Sequence, residues 1–136
     1  MDKKGTKGFT LIEILLVITI IGVLAAMVIP RFAGRTQQTK VAVAQTDVDV
    51  NIPLALDLYE LDMGEFPKGL NVLMENIDSS DSWKGPYLKK IPKDPWGTQY
   101  YYQYPGEYNQ YSYDLYSAGA DGQAETNDDI ANWEKK

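Results

Sequence analysis

Histidine and cysteine are both missing from the 136-residue sequence. Their absence excludes imidazole acid–base chemistry, Ser-His-Asp triads, Cys or His metal sites and disulfide staples together. It leaves the redox compartment open, because a chain of this size needs no disulfide even in an oxidising space. Positive charge is in the minority: 13 Lys and Arg stand against 19 Asp and Glu, a net charge of −6. The basic residues form no long stripe, so the footprint of a nucleic-acid binder is absent and no nucleic-acid partner is expected. Carboxylates are plentiful, which leaves hard, oxygen-based ligand chemistry open. The length is that of one domain.

Charge is also missing from one long run. Ile14 to Ile29 reads ILLVITIIGVLAAMVI, and extension back to Phe9 adds a single charge, Glu13. Those residues span roughly 30 Å as a helix, about one bilayer core. A membrane-spanning helix over 9–30 is expected. The preceding MDKKGTKG carries Lys3, Lys4 and Lys7 against Asp2, which predicts a cytoplasmic N-terminus and an exported C-terminus. No A-x-A-like cleavage site with a clean break follows the run, so a retained anchor is expected over a removed signal peptide.

Residues 31–63 read as an amphipathic helical stem. Val41, Val48, Ile52, Leu56 and Tyr59 recur at helical spacing with acidic residues between them. Val50, Leu54, Leu58 and Leu61 widen the apolar face beyond what one partner surface covers. Pro53 should kink or break this helix, and Gly64 with Pro67 should stop it. Residues 64–136 form the head: a short helix over 70–76, a loop over 78–97, then a stretch over 98–116 that holds eight of the ten tyrosines. Alternation on either side of Pro105-Gly106 predicts a β-hairpin. Its tyrosines read as one face of a sheet packed on the helix, with a sugar-stacking platform as the alternative. Trp96 and Trp133 read as core anchors. Lys89, Lys90 and Lys93 form a charged loop, either solvated or salt-bridged between subunits. The fold class expected is α+β, a long N-terminal helix packed on a small antiparallel sheet.

Two features carry chemistry. Glu13 places a carboxylate inside the apolar run, at about 2.5–3.5 kcal/mol if it sat at mid-bilayer and less near the interface. It either snorkels to the headgroups or pairs with a positive charge. Were the chain cut after Gly8, Phe9 would present a new α-amino group one helical turn away, on the same or a neighbouring chain. Near the C-terminus, Asp121, Asp128 and Asp129 fall within nine residues, with Gly119 and Gly122 allowing a tight turn. A hard divalent cation would relieve their mutual repulsion. The spacing is not that of an EF-hand, and composition alone favours a solvated acidic loop.

The junction Gly8-Phe9-Thr10-Leu11-Ile12-Glu13, followed by the apolar helix, resembles the class III signal of type IV pilin-like proteins. LDLYELDMGEFP, GPYLKKIPKDPWG, YDLYSAGADG and NDDIANW further resemble the major pseudopilins of type II secretion, the general secretion pathway protein G family. The likeness covers nearly the whole chain. It implies that residues 1–8 are a leader removed by prepilin peptidase between Gly8 and Phe9, with N-methylation of Phe9. It implies that Glu13 guides subunits into a homo-oligomeric helical filament, and that the segment between Gly22 and Pro30 can unwind on assembly. For the acidic loop it implies Ca²⁺ held by Asp121, Asp128 and Asp129, with carbonyls of Ala118 and Gln123. Minor pseudopilins, an inner-membrane assembly platform and membrane lipid are the implied partners. The implied place is the bacterial inner membrane, single-pass, with the head in the periplasm, and no catalysis is expected. Two departures from the family stand out, a shortened loop over 67–70 and Pro53 within the stem. A type IV pilus or DNA-uptake pilin would share the signal without needing the acidic loop. A membrane-anchored enzyme or binding module would need neither Glu13 nor a filament.

Overall fold

A computed structural model describes residues 8–134, and of residues 28–33 the backbone alone. Along the chain come helix α1 (Leu11–Thr46), a π-helical turn (Asp47–Asn51), helix α2 (Ile52–Met63), a 3₁₀ turn (Leu70–Leu73), and strands β1 (Tyr101–Gln103), β2 (Asp114–Ser117) and β3 (Ile130–Ala131). Two compact units divide it, Met1–Gln38 and Thr39–Lys136.

In the first unit the side chains of α1 from Leu11 to Met27, apolar but for Glu13 and Thr19, are all exposed. Leu11 is 82% exposed and Met27 66%. Among the described residues no helix is long and apolar enough to cross a membrane. The described side chains of the apolar run end at Met27.

The second unit owes its core to one helical stripe. Ala44, Val48, Ile52, Ala55, Leu56 and Tyr59 are buried against Leu70, Leu73, Tyr100, Tyr113, Leu115 and Ile130. The first three stripe residues are spaced by four, and a step of four overshoots a 3.6-residue turn by about 40°. The wider turn over Asp47–Asn51 absorbs that drift and keeps Ala44, Val48 and Ile52 on one side. The same turn accommodates Pro53, whose ring nitrogen has no proton to donate back to residue 49. Ile52 N–H bonds the Asp47 carbonyl instead. Pro53 thus breaks the regular helix, as its position predicts, without ending it. Gly64 does end it, in the left-handed region at φ 85° with its N–H on the Glu60 carbonyl at 2.7 Å.

The sheet is antiparallel in the order β1-β2-β3, with Tyr102 opposite Leu115 and Tyr116 opposite Ala131. Side chains alternate across it. Tyr100 and Tyr113 enter the core, and Tyr102 donates from its hydroxyl to the Pro67 carbonyl at 2.7 Å. Tyr101 and Tyr116 face outward, stacked with ring centroids 4.7 Å apart.

Three expectations are corrected. The helix over 70–76 is a 3₁₀ turn of four residues, and the hairpin expected about Pro105-Gly106 does form, β1 pairing antiparallel with β2, but across a wide connection and not a short turn at those two residues. Asp114, itself buried, organises that connection by accepting N–H bonds from Glu107, Tyr108 and Asn109 at 2.7–2.9 Å. Trp133 is no core anchor: it stacks on Tyr108 at 4.4 Å, outside the buried cluster.

Candidate functional site

At the N-terminal junction, Gly8, Phe9 and Thr10 lie outside regular structure and exposed, with Phe9 at 80%. Residues 1–7 of the expected leader lie outside the described residues. The Gly8–Phe9 bond therefore sits in an exposed stretch outside regular structure, just ahead of α1. Glu13 caps the helix that follows. Thr10 N–H donates to Glu13 Oε2 at 3.4 Å, and Glu13 N–H donates to Thr10 Oγ1 at 3.3 Å. This reciprocal pair is a capping box, T-x-x-E, and it holds the Glu13 carboxylate at the helix N-terminus, one turn from Phe9. The pattern is legible in the sequence, and attention to the charge pair alone passes over it. Gly22 lies within α1 and a Cβ there would meet nothing. Pro30 also lies within α1, and its side chain falls outside the described residues.

The acidic loop runs from the end of β2 to β3. Its entry is fixed by a buried relay. Asp94 accepts N–H bonds from Trp96 and Thr98 on Oδ1 and the Ser117 hydroxyl on Oδ2 at 2.6 Å; Ser117 Oγ in turn accepts from Gly119 N–H at 3.1 Å. Gly119, at φ 65°, passes so close to Asp128 that a Cβ would strike both its carbonyl and its carboxylate.

Within the loop the three aspartates are bound up with the backbone. Asp128 Oδ2 accepts from the N–H groups of Ala120 and Asp121 at 2.7 and 3.0 Å. Asp129 Oδ2 accepts from Glu125 and Thr126, and Asp121 Oδ1 from Gln123. The bond from the Thr126 hydroxyl, followed by the Asp121 N–H, holds the Asp128 carboxyl down at about 2. It is therefore fully ionised at neutral pH. Thr126 Oγ1 sits within 2.7 Å of Asp128 Oδ1, 3.3 Å of Asp129 Oδ1 and 3.2 Å of the Gln123 carbonyl. One hydroxyl proton cannot serve three acceptors at once, so oxygen lone pairs are in excess at this point. An all-oxygen donor set of this kind fits a hard cation. Thr126 is the residue that sequence reasoning missed. Among the described residues, no three His, Cys, Asp or Glu side chains gather at one metal position. Ala118 is buried at the loop's entry, and no described contact brings it to the aspartates.

Comparison with known proteins covers the chain in two adjoining pieces. Residues 3–29 match the prokaryotic N-terminal methylation motif, and residues 31–133 match the family described as type II secretion system (T2SS), protein G. A type II secretion system core protein G of Pseudomonas aeruginosa is 43% identical, across 98% of this chain and 99% of that protein. Its counterpart in Escherichia coli K12 is 42% identical across 97% and 92%. Among solved structures, the major pseudopilin of the type 2 secretion system of enterohaemorrhagic E. coli superposes with a TM-score of 0.61. It is 30% identical over 74% of this chain and 87% of that one.

Proposed function

The chain belongs to the type II secretion system protein G family, the major pseudopilins, and from that membership we propose that it is the building block of a periplasmic pseudopilus. Prepilin peptidase cuts between Gly8 and Phe9 and methylates the new N-terminus. The apolar helix from Phe9 to Pro30 holds the subunit in the inner membrane, and subunits leave it to stack by that helix. Growth of the fibre then drives folded proteins outward through the outer membrane.

The observation that carries this reading is the helix itself. From Leu11 to Met27 it is an exposed, largely apolar surface with one carboxylate, and further along Val50, Leu54, Leu58 and Leu61 stay 46–80% exposed although a core forms beside them. An apolar surface of this extent needs lipid in one state and neighbouring subunits in the other. The acidic loop binds Ca²⁺ through Asp121, Asp128 and Asp129, aided by carbonyls of Gln123 and Ala118. The ion's chemistry is structural: it neutralises the carboxylates and pins the C-terminal loop to the sheet.

Processing supplies the test. Loss of eight residues from 136 leaves a chain of 128 beginning at Phe9. Intact mass from cells with active prepilin peptidase should match that chain plus one methyl group. The uncut mass would overturn the assignment.

A further inference from the structure

The outer face of β1 and β2 carries a groove of about 770 Å³, bordered by the acidic loop and by the connection between the strands. Its volume is that of a small-ligand site. Two aromatic stacks build it. Tyr101 lies on Tyr116 with planes 9° apart, and Tyr108 lies on Trp133 at 5°. Tyr116 meets Trp133 edge-on at 76° and 5.5 Å, so the stacks form a corner. Tyr108 remains 62% exposed and Tyr101 40%.

The charge around these rings has one sign. Glu107, Glu125 and Glu134 line the groove, and among the described residues their carboxylates make no hydrogen bond or ion pair. Asp114 and Asp129 line it too, each already committed to backbone N–H groups. Among the described residues no Lys or Arg lines it.

Ring faces are electron-rich, and carboxylates at their rim add full negative charge. The complement is a cation with a flat or aliphatic body that stacks while its charge reaches the rim. A neutral sugar would use the rings but leave the carboxylates without a counter-charge, and an anion would be repelled. We propose that this groove docks arginine or lysine side chains of a basic peptide segment on a partner protein. The site uses no residue of α1 or α2, so it stands or falls apart from filament assembly. It shares Asp129 and Thr126 with the acidic loop, so calcium must be held constant in any test.

The experiment is an NMR titration of the full chain in zwitterionic detergent at fixed calcium, with a blocked Gly-Arg-Gly-Arg-Gly peptide as probe. The expected result is a saturable shift of the Trp133 indole N–H and the Tyr108 ring. The double variant E107Q/E125Q, both positions exposed, should weaken binding about tenfold, and salt should weaken the wild type more than the variant. No saturable shift would overturn the proposal. So would equal shifts from the matching glutamine peptide or from a neutral oligosaccharide, or unchanged affinity in E107Q/E125Q. Deletion of Lys135 and Lys136 should leave affinity unchanged. A gain on deletion would assign the groove to the chain's own C-terminus and overturn the reading of a partner.

Discussion

Glu13 and Asp128 are carboxylates whose roles can be separated by isosteric change. Glu13 both caps α1 and places a charge one turn from Phe9. Glutamine serves a capping box as glutamate does, yet cannot pair with an amine in a low-dielectric layer. Glu13→Gln should therefore leave the helix intact by circular dichroism while abolishing filament assembly as fully as Glu13→Ala. Wild-type assembly by Glu13→Gln would mean that capping is all Glu13 does. Asp128 is held at about 2, below its ordinary value of 3.8. A group depressed on folding stabilises above its unfolded pKa, and that contribution is lost as pH falls through the folded value. Between about pH 4 and pH 2 the wild type should lose stability faster than Asp128→Asn, followed by denaturant unfolding at each pH. Parallel curves would show that the loop's hydrogen bonds are not formed in solution.

At the scale of elements, the stem separates a face that folds the chain from a face that does not. Leu56 is fully buried, whereas Leu54 and Leu58 are 59% and 46% exposed. Leu56→Ala should cost about 2–5 kcal/mol. Leu58→Glu should stay within about 0.5 kcal/mol of wild type and still fail to form filaments by electron microscopy. Normal filaments from Leu58→Glu would remove this face from the interface. Both faces were readable as helical periodicity, and the sequence also showed that one surface could not cover them. The stop at Gly64 and the break at Pro53 were readable because each residue has a single backbone consequence. The wide connection between β1 and β2 was not. It depends on Asp114, distant by several residues from the N–H groups it gathers, and local turn signals carry no record of such a bond. Trp133 was misread for a related reason: size and apolarity say that a ring will be covered, but not that Tyr108 will cover it.

For the whole molecule, the acidic loop was legible as three aspartates beside two glycines, but not as a built site. Its position depends on Asp94, in a turn over twenty residues away, acting through Ser117 on Gly119. Thr126, around which the loop's oxygens converge, has no acidic signature at all. The head buries a modest core, so an ion that ties this loop to the sheet should register in global stability. An ion at one hundred times its dissociation constant adds about 2.7 kcal/mol, which at roughly 4–8 °C per kcal/mol for a folded unit of this size raises the thermal midpoint by roughly 11–22 °C. The full chain in detergent should show such a rise in millimolar calcium over chelator, with little response to magnesium, whose octahedral demand a loop of carbonyls and shared carboxylates meets poorly. Asp128→Ala should abolish the rise, because it removes the carboxylate that ties Ala120 and Asp121 to the far side of the loop. If the variant and the wild type respond equally, the cation is bound elsewhere. If neither responds, the loop is closed by its own backbone hydrogen bonds and the calcium assignment falls, while membership of the family, carried by the match over residues 31–133, stands.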